Sequence, residues 1–345
     1  MTMNWFERLT GFRETDYATT RGQLEVRGSR LHSRTNGQSY EIGKFELVSL
    51  HDLRERVSCG SGFEGKLRVR TEMGDVRAMH RAPEYASALF QVASQFNMLE
   101  MTGPDVTPEQ GVTRYQHDRT QGPGCAIAAG AATIYRNYFV PVEGGEGQTA
   151  TRQIDGLAAI GATLSEALRL PASKVWEMRN GYALCSREGL SAIATYLATQ
   201  NDDQIDALRA QLHIGLHSDV EVTDDEGAIR PRVSQAFCSA LPVAYTRVPI
   251  EQWKTFASLI LQGAYEATLR AAVLNARRGA SNKVLLTSLG GGAFGNDPAW
   301  IHTAMRSALK LAAEFELEVC LVSHGPPSRD LGDIAGEIWL TSGRR

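Results

Sequence analysis

Four glycines fall within six positions of the run Gly290-Gly291-Gly292-Ala293-Phe294-Gly295, followed by Asn296. Such a run brings backbone N–H groups up to an oxyanion with no Cβ in the way. The apolar text Val284-Leu285-Leu286 before it predicts a buried strand. Asp297 and Pro298 after it predict a helix N-cap and the first helical residue. Strand, glycine loop and helix N-terminus together make a phosphate cradle. A plain strand-to-helix turn needs one glycine, not four. No Lys-Ser/Thr pair follows, so the run is not a Walker A loop, and its spacing is not the dinucleotide fingerprint.

The second set of chemically capable residues is acidic. Asp219 and Glu221 stand two apart in Leu212–Val222, a segment that reads as a strand, so both project from one face. Asp224-Asp225-Glu226-Gly227 follows, a text that also suits a solvated hairpin tip. Asp118 closes a long polar loop, 102–119, just before Thr120-Gln121-Gly122-Pro123-Gly124-Cys125. Cys125, set among alanines, reads as a small core residue rather than a nucleophile. His213 and His217 are four apart on strand text, which does not give a zinc pair, and no metal is expected.

Positioning these groups requires a mixed sheet. Residues 23–50 alternate as β text around a turn at Thr35-Asn36-Gly37, and Lys66–Arg70 alternates as well. Residues 88–93 form an apolar strand that ends in Ser94-Gln95-Phe96-Asn97. Polar amides at the carboxyl end of a buried strand either present ligand contacts or satisfy the loop backbone, and both readings stand for Gln95 and Asn97. Helical spacing covers 152–168, 186–211, 253–277 and 301–312, with an aromatic turn at Trp176–Tyr182 between the first two. Strand text returns at 233–245 and 318–323, and Ile338-Trp339-Leu340 is expected to dock back. Strands and helices alternate from Ala88 onward, which predicts an α/β chain with helices on both faces of the sheet.

The chain has 345 residues, 43% of them hydrophobic, ample for a packed core. A net charge of −3 gives no basic field for nucleic acid. Five cysteines without a CxxC pair argue against structural zinc or a disulfide framework. No signal-peptide pattern and no run of eighteen apolar residues is seen, so a cytoplasmic protein without a membrane partner is expected.

Three pieces in chain order carry a resemblance: Gly74-Asp75-Val76, the strand ending in Gln95-Phe96-Asn97, and strand–GGGAFG–helix–strand near the carboxyl terminus. They resemble the macrodomain superfamily, the ADP-ribose-binding family that includes poly(ADP-ribose) glycohydrolases. The resemblance covers Lys66 to Gly325 with one large insertion. It implies a three-layer α/β/α mixed sheet with a β-rich extension at 1–65, a macrodomain-like unit at 66–345 and a helical insertion at 140–211. It implies that Asp75 contacts adenine and Asn97 the distal ribose. Gln121-Gly122-Pro123-Gly124 stands at the first glycine loop, and Gly290–Gly295, with Phe294, wraps the diphosphate.

The family's Gln-Glu-Glu triplet is absent here, so its catalytic acid does not carry over. The chain is more similar to a branch that includes an effector hydrolysing ADP-ribosylated arginine on ubiquitin. The implied activity is an ADP-ribosyl hydrolase without a cofactor, whose partners are ADP-ribose and ADP-ribosylated protein, ubiquitin among the candidates. Cleaving that glycosidic bond needs a carboxylate beside an oxocarbenium-like centre. Asp219 and Glu221 are the first choice, because a strand holds them, and Asp118 the second. A non-catalytic ADP-ribose reader and another phosphate-using enzyme are the competing classes.

Overall fold

The computed structural model describes residues 3–225, 227 and 229–342, without the side chains of 338–342. The expected docking of Ile338-Trp339-Leu340 therefore lies outside the described side chains, and Glu226 of the acidic loop outside the described residues. Seven strands make the central sheet: β1 (Lys44–Ser49), β2 (Arg68–Met73), β3 (Leu89–Ala93), β4 (His213–Glu221), β5 (Arg232–Cys238), β6 (Lys283–Leu286) and β7 (Glu318–Ser323). Their order across the sheet is β1-β4-β5-β3-β6-β7-β2. The last five in that order run parallel, while β4 is antiparallel to both β1 and β5.

The central strands are apolar on both faces, and each face packs a different layer. Leu89, Val284, Leu286, Val319 and Leu321 point into one cluster with Trp253, Phe256, Ile301 and Met305. Phe90, Leu285 and Cys320, one residue out of step, point into another with Met79, Ala129 and Ala132. That alternation is the period-two pleat of a strand buried on both sides. The helices that cover the faces are α1 (Val76–Arg81), α2 (Gln121–Ala128), α3 (Gly130–Tyr138), α4 (Ile250–Arg277) and α5 (Pro298–Leu311). Helices α4 and α5 supply the first layer, and α1, α2 and α3 the second. The three-layer mixed sheet is as expected. The strand expected over 233–245 stops at Cys238, and Pro242 beyond it has no N–H to offer a ladder.

Residues 24–41 form a small three-stranded antiparallel sheet, with the turn at 35–37 joining Arg30–Ser33 to Ser39–Glu41. The N-terminal segment is not set apart, because β1 belongs to it and forms one edge of the central sheet. Residues 140–211 carry helices Ala158–Leu168, Arg187–Ala198 and Asp202–Arg209. They also carry a hairpin, Trp176–Arg179 with Tyr182–Cys185. The hairpin turns at Asn180 (φ 47°) and Gly181 (φ 81°), the left-handed pair that a two-residue loop favours. No described helix is long and apolar enough to cross a membrane.

Candidate functional site

The carboxyl ends of β3 and β6 splay apart: β6 pairs with β3 only at Leu89 and Phe90. Two side-chain amides fill the wedge. Gln91 accepts from the Thr287 N–H (3.3 Å) and donates to the Thr268 hydroxyl (2.9 Å). Gln121 accepts from the Ala93 N–H (2.8 Å) and donates to the Gln91 carbonyl (2.8 Å). Above the wedge lies a cleft of about 300 Å³ lined by Gln95, Glu100, Asp118, Gln121, Gly122, Tyr182, Tyr245, Gly290, Gly292, Ala293 and Phe294. A second recess of about 380 Å³ is lined by Gly74, Asp75, Val76, Gln116 and Gly124. The two share Asp118, Arg119, Thr120, Gln121, Thr287 and His324, and so form one groove along the carboxyl edge of the sheet. That edge is where open α/β sheets bind ligands.

The glycine loop forms one wall. Asp297 N-caps α5 by accepting from the Ala299 N–H at 2.8 Å, with Pro298 at the first position. Gly290 takes a positive φ of 75°, and a Cβ there would meet the Ala240 methyl at 2.5 Å. The Gly291 N–H donates to Ser288, the Gly295 N–H to Gly292 and the Asn296 N–H to Gly290. The N–H groups of Gly290, Gly292, Ala293 and Phe294 have no partner among the described residues, and Gly292 and Ala293 are exposed. The facing wall is the start of α2, whose Gln121 and Gly122 N–H groups are likewise unbonded within the described residues. Gly122 is required for close approach: a Cβ there would lie 2.0 Å from the Ala93 carbonyl oxygen. Arg119 stands at the junction and makes no ion pair among the described residues. An oxyanion in the groove would meet two sets of free amides and one free guanidinium.

Not every residue expected to bind has a side chain free for a ligand. Gln95 borders the cleft but is buried, and its amide is engaged by the Met101 N–H (2.6 Å), the Met101 carbonyl (3.2 Å) and the Tyr182 hydroxyl (3.3 Å). Asn97 is fully buried, donates to Gln153 (2.9 Å) and accepts from the Leu99 N–H (3.2 Å). The turn at Gly181 covers it, so the expected contact between Asn97 and a ribose has no path. Asn296 is buried and anchors the loop by donating to the Leu241 carbonyl (2.8 Å). Gly291 and Gly295 shape the loop from behind and do not line the groove. Asp75 remains at the groove: it is exposed and caps α1 with one oxygen, accepting from the Arg77 N–H (2.8 Å).

The carboxylates expected on β4 do not reach the groove. β4 is antiparallel to β5, with Glu221 opposite Arg232 at the start of β5. Asp219 and Glu221 therefore lie at the amino edge of the sheet, opposite the groove. Asp219 sits on a bulge with φ 57° and is clamped by Arg278 at 2.6 and 2.9 Å. Glu221 accepts from Arg230 (3.0 Å) and the Glu41 N–H (2.7 Å). Asp224 is gripped by Arg77 through two 2.6 Å bonds. Asp118 alone of the expected carboxylates enters the groove. Its Oδ1 accepts from the Thr120 N–H (2.8 Å) and hydroxyl (2.6 Å), and its Oδ2 has no partner among the described residues.

No family model matches the chain, and neither does any curated protein. Among solved structures it is similar to poly(ADP-ribose) glycohydrolase from Thermomonospora curvata: 14% identity over 90% of this chain and 93% of that one, TM-score 0.45. The same enzyme from Deinococcus radiodurans, in complex with ADP-ribose, matches at 15% identity over 86% of this chain and 95% of that one, TM-score 0.45.

Two groove features were missed in the sequence. The hairpin at 176–185 brings Tyr182 against Tyr245 (ring centroids 5.0 Å) and Phe294 (5.3 Å), and the last two rings meet at 5.6 Å. Three rings thus form an aromatic end to the cleft. The aromatic-rich turn was the available signal for Tyr182. Under Gly122, Glu100 is fully buried, 3.3 Å from Arg136, and burial raises its carboxyl to about 7. Nothing local distinguishes Glu100, because its partner is 36 residues away. Cys125 is fully buried, and burial pushes its thiol up, away from the thiolate a nucleophile needs.

Proposed function

We propose that the groove binds ADP-ribose and that the chain hydrolyses the bond between ADP-ribose and a protein side chain. What supports this is the groove itself: two recesses that share Asp118, Arg119 and Gln121, the first of them walled by the unbonded N–H groups of the glycine loop and of the start of α2. A diphosphate fits between the two walls of the first recess, beside Arg119, because its charge there is met by amides that need no rearrangement. The adenine then falls beside Asp75, whose second carboxylate oxygen is free to accept from its exocyclic amine. The terminal ribose falls between Asp118 and the rings of Phe294, Tyr182 and Tyr245.

Asp118 is the proposed catalytic carboxylate. Thr120 holds one of its oxygens, so the other is aimed without being occupied. It would draw a proton from water as that water attacks the anomeric carbon, and its charge stabilises the oxocarbenium-like centre. The C–O bond to water forms as the C–N bond to the side chain breaks, and the leaving nitrogen takes up the proton. The proposed side chain is arginine, whose guanidinium suits a carboxylate flanked by aromatic faces, and ubiquitin is one carrier to test. Incubating the chain with arginine-ADP-ribosylated protein and measuring free ADP-ribose tests the reaction. The absence of a carboxylate at Gly122 and Pro123 favours a second reading, a binder that does not cleave. Tight ADP-ribose binding without release would establish that reading.

A further inference from the structure

We infer that Glu14, from the N-terminal segment, is a positioning residue for Asp118, a role that rests on the function proposed above. The Glu14 carboxylate accepts from the Val112 N–H (2.8 Å), the Thr113 N–H (2.6 Å) and the Tyr138 hydroxyl (2.8 Å). The Trp5 indole, from the same segment, donates to the Thr113 carbonyl at 3.3 Å. Thr113 opens a single short 3₁₀ turn, Thr113–His117, and the residue that closes it is Asp118. A carboxylate remote in sequence therefore caps the turn whose other end carries the proposed catalytic group. Residue 111 is Gly, and a Cβ there would lie 2.4 Å from a Glu14 carboxylate oxygen, so the chain keeps room for this cap.

Beyond Glu14 and the Trp5 indole, Tyr115 and Thr120 also anchor the turn, and neither of these fixes its axis alone. Tyr115 is fully buried, a single pivot in the middle, and Thr120 orients the Asp118 carboxylate locally. Glu14 supplies two charge-assisted bonds at the far end, short and directional enough to fix how the turn is aimed. A five-residue turn at roughly 2 Å per residue carries that aim about 10 Å to Asp118. Displacing a reacting group by about 1 Å can cost on the order of 100-fold in rate. The N-terminal segment is thus part of the proposed active site, although it lies outside the groove.

The test is a double-mutant cycle of Glu14→Ala with Asp118→Asn, read as kcat and KM for ADP-ribose release and as calorimetric affinity for ADP-ribose. Glu14→Ala should lower kcat roughly 10-fold or more while KM and ADP-ribose affinity stay within about two-fold. In the Asp118→Asn background it should add less than about two-fold, because the group it aims is gone. Equal losses in both backgrounds, or affinity falling with kcat, would overturn the positioning role. Glu14→Gln, which keeps the shape but turns an amide donor toward one N–H, serves if the alanine variant fails to fold. Its expected loss is smaller and equally confined to kcat. If the parent protein binds no ADP-ribose, or Asp118→Asn turns over at the parent rate, the proposed function fails and this role with it. If only the Glu14 cycle fails, the function stands.

Discussion

The two edges of the central sheet carry acidic groups of the same kind in opposite states. At the amino edge, Asp219 and Glu221 sit on a rigid strand, close together, and every oxygen is taken by Arg278, Arg230 or a backbone N–H. At the carboxyl edge, Asp118 sits in a loop, yet one oxygen is fixed and the other faces a cavity. Rigidity and charge density favour the first pair, which is why the sequence points to it. Chemistry needs something different: a group held in place and left incompletely satisfied beside a void. The same contrast separates the glycine loop, with its unbonded N–H groups, from Gln95 and Asn97, whose amides are fully engaged.

The contrast predicts opposite outcomes for one substitution made at both edges. Asp118→Asn should lower the rate of ADP-ribose release by roughly 100-fold or more, the scale for losing one acid–base group. Asp219→Asn should leave that rate near the parent value. Its exposed pair with Arg278 is worth at most about 1 kcal/mol of stability. A loss confined to Asp219→Asn would reverse the assignment of the two edges.

Gly292→Val sharpens the claim for the loop. A Cβ at Gly292 meets nothing within 4 Å, so the fold accommodates the side chain, which projects from the exposed rim of the groove. ADP-ribose affinity should fall roughly 10-fold or more, because the diphosphate can no longer reach the N–H groups. Unchanged affinity in the folded variant would remove the phosphate assignment. A smaller effect is expected at the adenine end. Asp75→Ala should cost about 1–3 kcal/mol of ADP-ribose affinity and leave ribose-5-phosphate affinity unchanged, the signature of one lost hydrogen-bond partner. Equal losses for both ligands would place Asp75 elsewhere than at the base.

The local parts of the site were legible in the sequence, since a strand, a glycine turn and an N-cap are each written within a few residues. The strand at Lys283–Leu286, the turn at Gly290 and the Asp297 cap stand where those local signals put them. The partners of Gln95, Asn97 and Gln121 were not legible, because an amide at a strand end looks the same whether it meets a ligand or a backbone N–H. Gln121 bonds to Ala93 and Gln91, and Asn97 to Gln153, tens of residues away. The edge occupied by Asp219 was partly legible. A short acidic hairpin tip between two strands makes them antiparallel, which sends the end of the first strand to the start of the second. Reading 222–231 that way places Asp219 and Glu221 at the amino edge. The aromatic turn marks Tyr182 in the sequence, but only the packing of residues 140–211 brings that hairpin to the cleft.

The buried Glu100 under the cleft extends the comparison to pH. Burial raises its carboxyl from the ordinary 4.5 to about 7, so the folded chain holds that proton more tightly than the unfolded chain. Its contribution to stability is therefore fully present below about pH 4.5 and is lost as pH rises toward 7. Urea midpoints should show the parent's stability relative to Glu100→Gln declining across that window. A relative stability that rises with pH instead would mean that Arg136, not burial, sets the Glu100 carboxyl.

The unbonded amides at the carboxyl edge are the proposed site for ADP-ribose. Calorimetric titration of the full chain with ADP-ribose, beside NAD and ATP, tests it most directly. The account predicts one site per chain that prefers ADP-ribose over both competitors and is weakened in Gly292→Val. No measurable heat with ADP-ribose from a folded protein, or a preference for ATP or NAD, would contradict it.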